Sequence, residues 1–378
     1  GLNFFALILG DAYAVGTPSD NTVLPASIYS GYQLVTTDAQ ENTVTGTNAG
    51  DSFSGTDATG NTLVGFNAGT AITTGDSNSA FGVNSLLNNN TGQYNTAIGF
   101  EALALNTTAN YNTAIGWRSL DVNTTGQYNA ALGAGALGGN TTASYNTAIG
   151  YNAMTVNTTG TSNVAVGQAA LEACTTGSNN LALGKSALSV STTAEKNTAV
   201  GKGSLSGTTT GNSNTAFGYQ SGLANTTGNT NTALGYETLY TNQAGDRNTA
   251  VGFQSFYTMN PSGNADSYNT GLGFHSGYST TTGYYNTAIG GLALYTNSTS
   301  ASNTAIGYKA LNANTAAENT AIGVSALEDN TTGTRNIALG VDALQENTTG
   351  DDNVAVGYKA LENPTTASDN TAVGYYAL

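Results

Sequence analysis

The chain has one cysteine, one histidine and four prolines in 378 residues. A lone thiol, Cys174, permits no intrachain disulfide, and one cysteine with one histidine cannot furnish a tetrahedral zinc site. Free cysteine is by habit a small buried residue, and Cys174 is read as one. Positive charge is scarce too: eight Lys and Arg stand against 23 Asp and Glu, a formal charge of −15, and charged residues are only 8% of the chain. This excludes nucleic acid as a partner, because such affinity rests on Lys and Arg at phosphates, and it argues against anionic membrane surfaces. No apolar run reaches the ~20 residues of a membrane-spanning helix. Glycine is abundant at 49 residues, and Asn, Thr and Ser are left to meet water.

One phrase fills the chain. Asn-x-Ala-aliphatic-Gly begins at Asn61 and recurs nineteen times to Asn370, with a weaker copy at Asn42. The spacing is seventeen residues except for nineteen after Asn42, twenty-one after Asn248 and sixteen after Asn303. The longest copy carries extra residues around "NPSGNADS" and is read as a loop at one corner. A fixed short period is the mark of a solenoid, whose units bury their apolar faces only by stacking on neighbours. Seventeen residues are too few for a strand plus a helix, and Gly at position 5 of every copy breaks any helix of useful length. The predicted fold is all-β: a β-solenoid of about twenty seventeen-residue coils over 42–378, preceded by an apolar assembly segment in 1–41. Two short strands per coil are expected, stacked ~4.8 Å apart in a rod about 90 Å long.

Within the first strand, position 2 is mostly Thr but becomes Val164, Leu181, Ile337 and Val354, and position 4 is always Ile, Val, Leu or Phe. Positions 2 and 4 share one face and are read as the core side. Position 3 is Ala except at Leu63 and Gly271, which suggests a face pressed against a second sheet or a neighbouring chain. Positions 8 and 9, such as Ala102-Leu103, supply a second apolar ladder. The invariant Asn at position 1 is read as a corner ladder bonded to local backbone and to the next Asn. Gly at position 5 is read as a corner that needs positive φ or close backbone approach.

"NTAIGxxA" resembles the repeat of the YadA-like head of trimeric autotransporter adhesins, and similar phrases occur in bacteriophage tail fibres. The resemblance covers 42–378. It implies a left-handed β-roll, three chains in a shaft, a cell-surface or extracellular location, and adhesion to glycans or a surface receptor.

The apolar residues Leu2, Phe4, Phe5, Leu7, Ile8 and Leu9 have the length of a signal-peptide core, and Ala12-Tyr13-Ala14 fits a small-x-small cleavage pattern. If retained, the segment is expected to add as a strand to the last coil of a neighbour, around Val373, Tyr375, Tyr376 and Leu378, by β-augmentation. Such a head-to-tail contact does not close on itself and gives a filament.

Position 6 is aromatic in eleven of nineteen copies. Trp117, Tyr151, Tyr219, Tyr236 and Tyr308 among them are candidate glycan or lateral-contact residues, with neighbour packing along the sheet as the plainer reading. Position 12 opens a glycosylation sequon at Asn106, Asn123, Asn140, Asn157, Asn225, Asn297, Asn330 and Asn347, or else a hydrogen-bonded Asn/Thr corner. His275, where other copies have Asn152, Arg118 or Glu237, is read as a variable exposed position rather than a catalytic base. Asp51, Asp351 and Asp352 are read as solvated corners, since no calcium-loop spacing of carboxylates is present. The expectation is therefore a secreted, non-enzymatic subunit of a self-assembling extracellular filament, with itself as partner, no cofactor, no metal and no membrane insertion. A glycan-binding trimeric adhesin or tail-fibre shaft is the first alternative. An ice-binding solenoid is the second, with the Thr residues of positions 13 and 14 as its candidate array because position 2 is read as internal.

Overall fold

Each Asn-x-Ala-aliphatic-Gly phrase becomes a three-residue strand. The computed structural model describes residues 36–53, 57–261 and 266–378. After a short strand β1 (Thr36–Thr37), the strands β2 (Thr43–Thr45) to β21 (Thr371–Val373) each occupy positions 2 to 4 of a coil. Each pairs in parallel with the strand one coil on, position for position, as Thr96, Ala97 and Ile98 do with Thr113, Ala114 and Ile115. The fold is a β-solenoid, and no helix occurs among the described residues. The register survives the long copy, where Thr249 pairs with Thr270, and the short one, where Thr304 pairs with Thr320. The extra residues of the long copy at 262–265 lie outside the described residues. At the other end β1 runs antiparallel along β2. There Asp38 Oδ1 accepts the Asn42 N–H at 2.8 Å, taking the place that an Asn side chain holds in every later coil.

The inside of the coil is the reverse of the sequence expectation. Ala97, Ala114, Ala148 and nearly all position-3 alanines are buried, whereas Ile98 is 39% exposed and Leu132 46%. Positions 2 and 4 point outward, and the alanine faces the interior because the interior is thin. The coil closes over Ala at position 3 with Ala or Ser at 8 and Leu at 9, and little space is left. The two exceptions prove the volume limit. Leu63 replaces Ala in a coil whose position 9 is Gly69, and a Cβ on Gly69 would lie 2.9 Å from both Leu63 methyls. Gly271 sits under the fully buried Phe256, whose ring would be 2.7 Å from a Cβ at Gly271 and 2.3 Å from one at Gly277. Large and small residues are exchanged so that the packed volume stays constant.

The second leg of the coil is not a strand. Positions 8 and 9, Ala102 and Leu103 for example, are both fully buried, which a pleated strand with alternating side chains cannot achieve. The chain solves this with positive φ at position 7 (Glu101, 53°) and position 9 (Leu103, 52°). Coil-to-coil hydrogen bonds persist, from Leu103 N–H to Ser119 O at 3.0 Å and from Leu105 N–H to Asp121 O at 2.9 Å. A left-handed non-glycine residue costs on the order of 1–2 kcal/mol, and it usually draws attention to a functional site. Here it recurs coil after coil, so it marks the architecture and no particular site. Position 5 is glycine for both expected reasons: at Gly99 φ is 133° and a Cβ would stand 2.5 Å from Gly116 O in the next coil.

Candidate functional surfaces

Outward positions 2 and 4 form a flat face along β3 (Thr62–Val64) to β21, one row mostly threonine and one row entirely aliphatic or phenylalanine. Stacking on like neighbours leaves these side chains partly exposed, Leu183 and Leu339 by about two fifths. No strand from β2 to β21 contains a charged residue. Exposed contiguous apolar surface on this scale marks an interaction site in soluble proteins.

Two asparagine ladders line the interior corners. At position 1, Asn95 N–H donates to Asn78 Oδ1 at 3.0 Å, and Asn95 Nδ2 donates to Ala109 O of its own coil at 2.9 Å. The same backbone-to-Oδ1 bond runs from Asn61 on Asn42, 2.8 Å, to Asn370 on Asn353, 3.0 Å. At position 12, Asn106 Nδ2 donates to Asn89 Oδ1 at 2.7 Å and to Ala109 O at 3.0 Å. This second ladder contains the eight sequons. Asn106, Asn123, Asn140, Asn157, Asn225, Asn297, Asn330 and Asn347 are all buried, with Nδ2 donated to the position-15 carbonyl of their own coils. The corner reading holds: a glycan on Nδ2 is incompatible with this packing.

The aromatic residues stack along the axis. At position 6, Tyr219, Tyr236, Phe253 and Phe274 lie 5.2, 5.1 and 5.5 Å apart, with planes within 15° of each other. Their faces are taken by one another, and only ring edges and hydroxyls look outward, so the run presents no broad ring face to a sugar. Charged groups lie over rings as well: Lys202 caps the run over Tyr219 at 5.6 Å, and Arg118 lies over Trp117 at 5.5 Å and Lys309 over Tyr308 at 5.8 Å. Tyr151 is exposed. Sequence reading missed two further ladders, Tyr94–Tyr111–Tyr128–Tyr145 at position 17 and Tyr240–Tyr257–Tyr278–Tyr295 at position 10. The seventeen-residue alignment that exposed position 6 contained them as well.

Reactive groups are few and dispersed. His275 is half-buried, not an open surface residue; burial lowers its pKa, and its ring nitrogen Nε2 meets Gln254 Oε1 at 2.9 Å, with aromatic rings around it. Burial pushes the Cys174 thiol up to about 11, against a smaller opposing effect of the Gly177 backbone, so it is a poor nucleophile. Asp351 Oδ1 accepts Thr334 N–H and hydroxyl at 2.7 and 2.9 Å, and Asp352 is held by Arg335 at 2.7 and 2.8 Å. Among the described residues no three His, Cys, Asp or Glu side chains gather as a metal site would require, and no helix is long and apolar enough to cross a membrane. A hollow of about 230 Å³ beside Leu361, Asn363, Pro364 and Leu378 offers no reactive side chain. Val373, Tyr375, Tyr376 and Leu378 are exposed. Leu2, Phe4, Phe5, Leu7, Ile8 and Leu9 lie outside the described residues. Neither a family model nor a curated protein matches the chain.

Proposed function

We propose that this chain is a non-catalytic structural rod, the repeating subunit of an extracellular fibre built from copies of itself. The observation that carries the reading is the unbroken position-1 ladder, which ties every coil from Asn42 to Asn370 to its neighbour through a buried side chain. A stack joined rung by rung in this way is stiff and quasi-one-dimensional, about 90 Å long at ~4.8 Å per rung. Among the described residues the histidine, the thiol and the carboxylates lie apart from one another. Negative-stain microscopy of the purified full chain tests the reading. Straight fibres many times the length of one rod are expected, and lone short rods at high concentration would sink it.

A second reading, an ice-binding rod, gains one specific observation. Position 2 faces outward, so Thr96 and Thr113, and Thr198, Thr215, Thr232 and Thr249 further on, stand in outward rows of threonine. The position-13 threonines are less suited, because their hydroxyls are donated to the next coil, as Thr107 Oγ1 is to Thr124 O at 3.1 Å. Thermal hysteresis from a monodisperse monomer would favour this reading over the fibre.

A further inference from the structure

We infer that two copies of this chain pack face to face through the outward rows of β3 to β21, with the rods parallel. The inference rests on the self-associating reading above and names the surface and geometry of the contact. Three observations select a second copy as the occupant. The first is periodicity: a row of aliphatic ridges repeating at one strand spacing is matched over its whole length by a surface with the same repeat, and an identical rod has it. The second is area. A face of nineteen rungs about 90 Å long and about 10 Å wide offers on the order of 900 Å² per copy, comparable to the roughly 800 Å² per partner of a stable interface. The third is charge. The face itself is neutral, so two chains of net charge −15 can approach here without opposing charges in the contact, and sheets pack face to face about 10 Å apart through such uncharged rows.

Charge on the flanks sets the direction. Positions 6 and 7, which follow each strand, carry five basic side chains (Arg118, Lys185, Lys202, Lys309, Lys359) against three acidic ones (Glu101, Glu237, Asp342), a net of +2 on an acidic chain. Positions 16 and 17, which precede each strand, carry seven acidic side chains, among them Asp76, Asp246 and Asp351, against three basic ones (Lys196, Arg247, Arg335), a net of −4. A two-fold axis parallel to the rods lays the basic flank of each copy over the acidic flank of the other. A two-fold along the strands would make the rods antiparallel and set like flanks together. The edge of β2 is already covered by β1, which leaves the broad face as the large uncharged surface among the described residues.

Sedimentation velocity and microscopy of the full chain test this. The wild type is expected to form double-width rods at tens of micromolar. A variant with Leu132→Lys, Leu183→Lys and Leu272→Lys is expected to give single-width rods with an unchanged circular dichroism spectrum. Thr96→Lys, Thr147→Lys and Thr232→Lys on the other outward row should act alike if the first set perturbs folding. Lysines at Leu105, Val156 and Val190, exposed on the second leg, should leave the pairing intact. A bis-maleimide should link Ile115→Cys to Ile115→Cys in the pair, whereas linkage of Ile115→Cys only to Ile322→Cys would overturn the parallel arrangement. Double-width rods that survive the face lysines would overturn the assigned face. Single-width fibres in the wild type would overturn pairing while leaving the fibre reading standing, and lone short rods would overturn both. Strong thermal hysteresis from a monomer, abolished by the threonine-row lysines, would overturn pairing in favour of ice.

Discussion

The two asparagine ladders look alike in sequence and differ in tolerance. Position 1 is Asn in every copy, whereas position 12 is also Ile72, Cys174, Ser191, Thr208, Met259, Thr280 and Pro364. The structure gives the reason. Each position-1 Oδ1 accepts a backbone N–H from the next coil, as Asn146 does from Asn163 at 2.9 Å, so loss of that side chain strands a buried main-chain donor. A position-12 Oδ1 typically accepts the next Asn side chain, as Asn106 does from Asn123 at 3.0 Å, and no backbone N–H of the next coil depends on it. The carbonyl that position 12 bonds is shared with position 1: Gly160 O takes both Asn146 Nδ2 at 2.8 Å and Asn157 Nδ2 at 3.0 Å. Loss at position 12 therefore leaves the carbonyl satisfied. At three breaks of the second ladder one oxygen is orphaned, whereas before Met259 the Asn242 Oδ1 accepts the Gly245 N–H of its own coil at 3.0 Å. Asn157 Oδ1 faces Cys174, Asn347 Oδ1 faces Pro364, and Asn297 Oδ1 precedes the shortened coil. Invariance within one chain follows from whether a replaceable side chain or an irreplaceable backbone group depends on the residue.

The sharpest way to break this comparison is Asn146→Ala against Asn123→Ala. The first orphans the Asn163 N–H while Gly160 O keeps its bond from Asn157, and it should cost about 2–3 kcal/mol at roughly 1–3 kcal/mol per unsatisfied buried group. The second leaves Asn106 Oδ1 without the Asn123 Nδ2 donor and should cost about 1–2 kcal/mol. Denaturant midpoints combined with amide exchange in the two flanking coils would measure both, since a long repeat array need not unfold in one step. Equal losses would remove the distinction. A smaller effect of opposite sign is expected from Cys174→Asn. The new Nδ2 is placed to donate to Asn157 Oδ1, and the melting temperature should rise with a gain of about 1 kcal/mol; a decrease would mean that the gap is set by packing. The smallest effect concerns His275, which lies in neither ladder. Its pKa is lowered in the fold, so the unfolded chain binds the proton more readily, and stability is retained above the ordinary histidine pKa and declines as pH falls below it. The wild type should lose slightly more stability between pH 7 and pH 5 than His275→Gln, and identical pH profiles would contradict the assignment.

The same contrast between backbone and side-chain demands explains what was legible in the sequence. The period, the absence of helix, the asparagine corner and the glycine corner could all be read, because each is fixed by backbone geometry that admits one residue. The direction of positions 2, 3 and 4 was misread. Val164 and Ile337 in a threonine row look like burial, yet an outward β-row also favours β-branched and aliphatic neighbours. The exchange of Leu63 with Gly69 and of Gly271 with Phe256 was present in the sequence, and it assigns position 3 to the interior on volume alone. Adjacent apolar residues at positions 8 and 9 likewise argue against a second pleated strand. The sequons misled in a different way, since their regular recurrence was itself a sign that each Asn served the stack.

Side-chain density across three successive coils of the isolated rod tests the central claim most directly. An axial step of about 4.8 Å is expected, with Ala114, Ala131 and Ala148 directed into the coil and Ile115, Leu132 and Ile149 outside it. Aliphatic side chains packed inside with the alanines turned outward, or coils that do not superpose rung on rung, would contradict it.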